Sequence, residues 1–354
     1  MNLTSLQELI VPLSNAQAQA QARVRQDRLT KPAGSLGRLE EISIWLAGVH
    51  GVNPPRAIND PHLVILAGDH GITEAGVSAF PAEVTRQMVH NFVAGGAAAT
   101  VLARAYDVDV SVFDISVNAP AETFPESVTR YKVSSGSSRC DTGAAISMEE
   151  ASAAFFAGRQ IAHDLGDSGV DLLLTGDMGI GNTTIASSLI SLITQQTNDD
   201  HVGRGTGIND EQLAHKRNVI KTICERWGSK PLLPLELLAA IGGSDFAAMA
   251  GLLVGAAERG IPVVIDGMMS TASALVADLV HPNARAWWLA SHRSVEPAHA
   301  VALQHLGLVP LIDFNFRLGE GTGALMVVPV IRGAQAILAE MATFADAGVS
   351  DKSE

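Results

Sequence analysis

Two glycine-rich loops, each set between an apolar run and a helix-like run, constrain the fold of this chain most. The first is Thr175-Gly176-Asp177-Met178-Gly179-Ile180-Gly181-Asn182-Thr183-Thr184, and the second is Arg317-Leu318-Gly319-Glu320-Gly321-Thr322-Gly323. Glycines at that density let backbone N–H groups come close to an anion. A helix starting just beyond adds the positive end of its dipole. The second loop also carries one carboxylate, Glu320. A ligand with a phosphate at one end and a reacting centre at the other would use both features.

The same apolar-then-helical pattern recurs along the chain. Strands are expected at 62–67, 108–115, 170–175, 261–266, 286–290 and 309–314, and helices at 3–26, 36–49, 83–106, 148–165, 182–193 and 270–280. Unbroken Val/Ile/Leu runs mean burial on both faces. Strands separated by helices predict an α/β fold with a doubly wound, mainly parallel, Rossmann-like sheet. The apolar stretch 235–257 is interrupted by Gly242-Gly243-Ser244-Asp245, so it reads as a buried helix pair rather than a membrane span. Residues 1–50 with 331–354 are expected to form a smaller helical domain, and 51–330 the α/β catalytic domain. Ligands of such sheets sit outside the carboxyl ends of the strands. That directs attention to Gly68-Asp69-His70-Gly71, Gly176-Asp177-Met178-Gly179, Asp266-Gly267-Met268 and Ser291-His292-Arg293-Ser294.

Composition narrows the partners. A formal charge of −13 over 354 residues argues against nucleic acid, which needs a basic face, but leaves room for a small anionic substrate. Two cysteines, Cys140 and Cys224, give no disulfide framework and fit a reducing compartment. The first 28 residues are polar and lack a signal-type apolar core. A soluble cytoplasmic protein is expected, with no membrane partner.

Residue by residue, each loop has two readings. Gly176–Thr184 is a phosphate cradle, with Asn182, Thr183 or Thr184 capping the helix, or simply a tight strand-to-helix turn. No Gly-Lys-Ser/Thr follows, so it is not a Walker loop. Gly203-Arg204-Gly205-Thr206-Gly207, with Lys216 and Arg217 in a following helix, is a second phosphate contact or a mobile surface loop. Gly319–Ala324 matches a relaxed dinucleotide pattern, but too little chain follows it for a βαβ unit. Glu320 is either an exposed loop residue or a carboxylate partly buried by Leu318, Val327 and Val328. Burial would raise its pKa toward neutrality and let it take a proton from a nitrogen heterocycle. Asp69-His70 alone is weak, and His292, His299 and His305 lack the spacing of a structural zinc site.

Taken together, these segments resemble the nicotinate-nucleotide–dimethylbenzimidazole phosphoribosyltransferases, which build the lower-ligand nucleotide of cobalamin. The resemblance runs almost end to end. It covers Arg28-Leu29-Thr30-Lys31-Pro32-Ala33-Gly34-Ser35-Leu36-Gly37-Arg38-Leu39-Glu40, Ala67-Gly68-Asp69-His70-Gly71 and Gly76-Val77-Ser78-Ala79-Phe80-Pro81. It continues through Gly176–Thr184, Gly242-Gly243-Ser244-Asp245, Asp266-Gly267-Met268-Met269-Ser270, Ser291-His292 and Arg317–Gly323.

The resemblance implies transfer of phosphoribose from nicotinate mononucleotide to 5,6-dimethylbenzimidazole, giving α-ribazole 5′-phosphate and nicotinate. It implies a homodimer; no cofactor and no metal are expected. It makes Glu320 the general base, with Asp177 as a second catalytic carboxyl. It maps the base-binding slot near Phe80, Met88 and Leu318, and the phosphate site to Gly179, Gly181, Asn182, Gly205, Lys216 and Ser294. Two positions depart from the family pattern. Asp177 stands where Glu is common, and Phe80 where some relatives carry a small polar residue. Two other classes remain for comparison: a nicotinamide-linked oxidoreductase, which lacks its fingerprint after the first strand, and a nucleotide sensor without catalysis.

Overall fold

The computed structural model describes residues 6–350 apart from Gln7 and Lys230. Strands β1 (Pro61–Gly68), β2 (Asp109–Ser116), β3 (Leu172–Met178), β4 (Val263–Ile265) and β5 (Trp288–Ala290) form one parallel sheet in the order β2-β1-β3-β4-β5. Helices flank it: α1 (Ala16–Gln26), α2 (Arg38–His50), α3 (Glu83–Val93), α4 (Ala98–Tyr106), α5 (Met148–Asp167) and α6 (Asn182–Thr194). They continue with α7 (Asp210–Trp227), α8 (Ser244–Glu258), α9 (Met268–Val280), α10 (Pro297–Leu306) and α11 (Val328–Glu340).

Successive strand residues alternate between two apolar cores. Val64, Leu66, Leu173, Val263 and Ile265 join one with Phe155 of α5, Ile185 of α6, Leu252 of α8 and Leu275 of α9. Leu63, Ile65, Leu172, Leu174 and Val264 join the other with Ile42 of α2, Val89 of α3, Ala99 of α4 and Ile331 of α11. A strand with an apolar demand on both faces has no polar register to keep, which is why its sequence is an unbroken apolar run. The doubly wound α/β sheet expected from that pattern is the sheet observed.

Three elements differ from the sequence expectation. The helix expected at 3–26 begins at Ala16, because Asn15 caps it by accepting the Ala18 N–H at 2.9 Å. Ahead of it, the Pro12 carbonyl accepts the Trp287 indole N–H at 2.9 Å, which ties that segment to the body of the protein as non-helical chain. Residues 3–5 and 7 of that expectation lie outside the described residues. The helix expected at 83–106 is two helices, parted at Gly95, whose φ of +76° no helix interior accepts. The strand expected at 309–314 is β7 (Ile312–Phe316). It pairs in parallel with β6 (His292–Ser294) in a separate two-stranded sheet and does not extend the main one.

Helices α1, α2 and α11 meet through Ala22, Ala47 and Leu338, and Arg25 donates to the carbonyls of Leu338 and Ala339. Ile42 and Leu46 of α2 also belong to the second core of the sheet. The stretch Thr322–Glu340 is long and apolar enough to cross a membrane by length and composition. Its Ala324, Leu325, Val328, Ile331 and Leu338 are fully buried in the protein interior.

Candidate active site

The carboxyl ends of the strands converge on one region, and the two glycine loops meet there. Gly176 of β3 packs directly on the second loop: a Cβ at 176 would lie 2.8 Å from the Glu320 carbonyl oxygen. Only glycine permits that approach. Glu320 itself has φ +62°, a left-handed conformation rare for a side-chain-bearing residue and held here by the glycines on either side.

Asp266, at the carboxyl end of β4, fixes this loop. Its Oδ2 accepts the Gly321 N–H at 3.1 Å and its Oδ1 the Ala324 N–H at 3.0 Å. Both donors belong to the start of the short helix Thr322–Met326, whose first N–H groups have no partner within the helix. The His292 ring lies beside it, with Nδ1 at 3.8 Å from Asp266 Oδ1 and 2.8 Å from Ser291 Oγ.

Glu320 is 6% exposed, and its Oε2 is buried with no hydrogen-bond partner. Burial, aided by the nearby charge of Asp266, pushes its pKa up from 4.5 to about 7. Asp177 is also buried. Burial, reinforced by Asp266, Asp245 and Glu320, drives its pKa well above the usual carboxylate range. Asp177 Oδ2 accepts the Asn182 side-chain amide at 2.8 Å. Asn182 is thus the first residue of α6 and bonds to Asp177. The side-chain cap expected from Asn182, Thr183 or Thr184 is not formed; Gly181, at φ +93°, occupies the capping position. Asp177 also lies against the second loop, its Oδ1 3.5 Å from where a Cβ of Gly319 would be.

Beyond α6, the remaining expected phosphate contacts come together. The Lys216 side chain is fully buried on α7, and its Nζ donates to Thr183 Oγ1 at 2.8 Å. Burial pulls its pKa down to about 8, and the charge of Glu296 opposes that shift. Gly205 sits beside it, with the Arg317 guanidinium donating to the Gly205 carbonyl at 3.3 Å. Ser294 ends β6; its N–H donates to His299 Nδ1 at 3.1 Å and its Oγ accepts the Glu296 N–H at 3.2 Å. Phe80 and Leu318 are 51% and 57% exposed, and Met88 is half-buried on α3. The loop carrying Phe80 touches the Gly203–Gly207 segment, where Thr206 Oγ1 accepts the Ala79 N–H at 3.2 Å.

Four residues that build this region, Asp266, His70, Asp245 and Glu296, have partners that the sequence does not reveal. Asp266 was marked only as polar chain after a strand. Its partners lie 55 and 58 residues away, and no spacing rule reveals them. His70 and Asp245 form a fully buried pair, Nε2 to Oδ2 3.1 Å, from the ends of β1 and the start of α8. Glu296 reaches back to the Gly205 N–H at 2.8 Å. Among the described residues no cluster of three or more His, Cys, Asp or Glu is arranged to hold a metal ion.

A family model described as "Phosphoribosyltransferase" matches residues 11–349. A relative from Chloroflexus aurantiacus, named nicotinate-nucleotide–dimethylbenzimidazole phosphoribosyltransferase, is 50% identical over 97% of this chain and 97% of its own length. The chain belongs to this phosphoribosyltransferase family. A relative of the same name from Mycobacterium marinum is 47% identical over 95% of this chain and 93% of its own. A crystal structure of the enzyme of that name from Thermus thermophilus superposes with a TM-score of 0.89 at 41% identity, covering 96% of this chain and all of that one.

Proposed function

We propose that this enzyme moves phosphoribose from nicotinate mononucleotide to 5,6-dimethylbenzimidazole, with Glu320 as the base. The observation that carries the residue assignment is the state of Glu320: a buried carboxylate with a pKa near 7, one oxygen unpartnered, at the carboxyl edge of the sheet. A group poised near the working pH is suited to accept a proton in the rate-determining region. The departing pyridinium becomes neutral nicotinate ring nitrogen as its bond to ribose breaks, so no acid need protonate it. Positive charge grows on the anomeric carbon, and the negative charge of Glu320 and Asp266 stabilises it. One ring nitrogen of the acceptor bonds to that carbon from the opposite face and inverts it. The other nitrogen then gives its proton to Glu320.

Asp177, its pKa driven well above the usual range by burial and by the neighbouring carboxylates of Asp266, Asp245 and Glu320, is the second carboxyl of the site. Lys216, the backbone N–H groups around Gly179 and Gly181, Asn182 and Ser294 hold the 5′-phosphate, and Gly205 lines the same corner with its own N–H taken by Glu296. Phe80, Met88 and Leu318 receive the flat acceptor. Residues 1–50 with 331–354, which carry α1, α2 and most of α11, are the smaller domain, residues 51–330 the catalytic one, and the enzyme works as a cytoplasmic homodimer that binds neither nucleic acid nor membrane. The exposed apolar side chains of Phe80, Phe314 and Leu318 support a second copy of the chain over this region.

Chromatography of the purified protein with nicotinate mononucleotide tests the reaction. Nicotinate and α-ribazole 5′-phosphate are expected in equal amounts and only when the benzimidazole is present. Tight binding of the nucleotide with no product from any aromatic nitrogen base would favour the sensor reading instead.

A further inference from the structure

Glu296 lies in the turn between β6 and α10, is 6% exposed, and has no part in the reaction as described above. Its Oε1 accepts the Gly205 N–H at 2.8 Å. Its Oε2 has no hydrogen-bond partner and occupies the space a side chain at Gly203 would fill, 2.1 Å from that Cβ position. Its backbone N–H donates to Ser294 Oγ. The Gly203–Gly207 loop and Ser294 are therefore joined through this one residue.

Lys216 lies next to the same point, its Nζ 3.3 Å from where a Gly205 Cβ would be. It is fully buried, and its one side-chain partner is the Thr183 hydroxyl. A buried ammonium with only a neutral partner loses its proton readily. The other charged groups of this corner are committed elsewhere or carry the same sign. Arg317 donates to the Gly205 carbonyl, and Arg204 pairs with Asp210 at the surface. Glu296 is the acid that offsets the burial of Lys216.

We infer that Glu296 is a positioning residue that keeps Lys216 charged and the Gly203–Gly207 loop in place for the donor's phosphate. The inference rests on the reading of Lys216 as a phosphate contact given above. It predicts that removing the charge while keeping the shape lowers the pH at which donor binding fails.

The experiment is KM for nicotinate mononucleotide from pH 5.5 to 9 in the parent, Glu296→Gln, Glu296→Asp and Lys216→Gln. In the parent, KM rises as Lys216 deprotonates near pH 8. In Glu296→Gln the rise begins about one unit lower, so the ratio of the two KM values approaches tenfold above pH 8 and returns to one at pH 6. The kcat values stay alike. Glu296→Asp keeps the charge, and its curve keeps the parent's position. The second ionisation of the phosphate and the titration of Glu320 are common to all, so they cancel in the ratio.

Superimposed curves for parent and Glu296→Gln overturn the inference, as does a rise that is equal at every pH, or an Asp curve displaced as far as the Gln curve. Lys216→Gln separates the two levels. If it leaves KM unchanged, the phosphate reading itself falls. If it raises KM while Glu296→Gln does not, only the role of Glu296 falls.

Discussion

Replacing Asp266 with Asn tests how the Glu320 loop is held and tuned. Asp266 accepts two backbone N–H groups, from Gly321 and Ala324, at 3.1 and 3.0 Å. An amide offers one accepting oxygen and turns an NH2 toward the other donor. One buried N–H is left unpaired, at a cost of about 1–3 kcal/mol. Released into the geometry that holds Glu320, that lowers the plateau kcat by roughly 5- to 150-fold. The second effect is electrostatic. The pKa of Glu320 stands at about 7 against an ordinary 4.5, with burial the larger cause and Asp266 the smaller. Removing the smaller cause takes away less than half of that rise, about one unit at most. The acid limb of the kcat profile therefore moves below pH 7 but stays above 4.5. The assay is initial-rate chromatography of nicotinate release from pH 5 to 9 with both substrates saturating. An acid inflection that stays at the parental pH would refute the coupling between Asp266 and Glu320. An unchanged plateau would refute the loop-anchoring role.

Three further outcomes follow from the same geometry. Gly176→Ala places a methyl 2.8 Å from the Glu320 carbonyl, and overpacking of about 1–3 kcal/mol should cut kcat about tenfold or more with little change in KM. Asp245→Asn leaves the buried His70 without its partner and should cost about 3–5 kcal/mol in denaturant unfolding. The pKa of His70 is raised, burial opposing and Asp245 prevailing, so this loss is largest below pH 6.5 and shrinks as pH climbs through the raised value. Glu320→Gln should stabilise the fold at alkaline pH. A carboxylate whose pKa is raised from 4.5 to about 7 destabilises the native state progressively between those pH values, by up to about 3 kcal/mol above pH 7. The variant should melt above the parent at pH 8, with no such advantage at pH 4.

The sheet was legible because both of its faces are buried. Val64 and Leu63 face opposite cores, so β1 reads as one apolar run, and the same holds for β3 and β4. Local breaks were less legible. Gly95 parts α3 from α4 through a positive φ that composition does not display, and Pro12 is held by an indole 275 residues away. Within the site, Glu320 stood out because it is a lone acid among glycines. Asp266, Glu296 and the His70–Asp245 pair did not, because their meaning lies in partners distant in sequence: Gly321, Gly205 and each other. The β6–β7 pairing was missed for a related reason. Strand β7 is largely exposed and carries Asp313 and Asn315, so its apolar run signalled a strand but not which sheet it joins.

The most direct measurement is kcat for phosphoribosyl transfer in the parent and in Glu320→Gln across pH 5 to 9. The parent rate should rise through an inflection near pH 7 and level off above it. The Gln variant should be slower by roughly 10²- to 10⁴-fold and should lack that inflection. A Gln variant that turns over at the parental rate with the same pH profile would contradict proton transfer to Glu320.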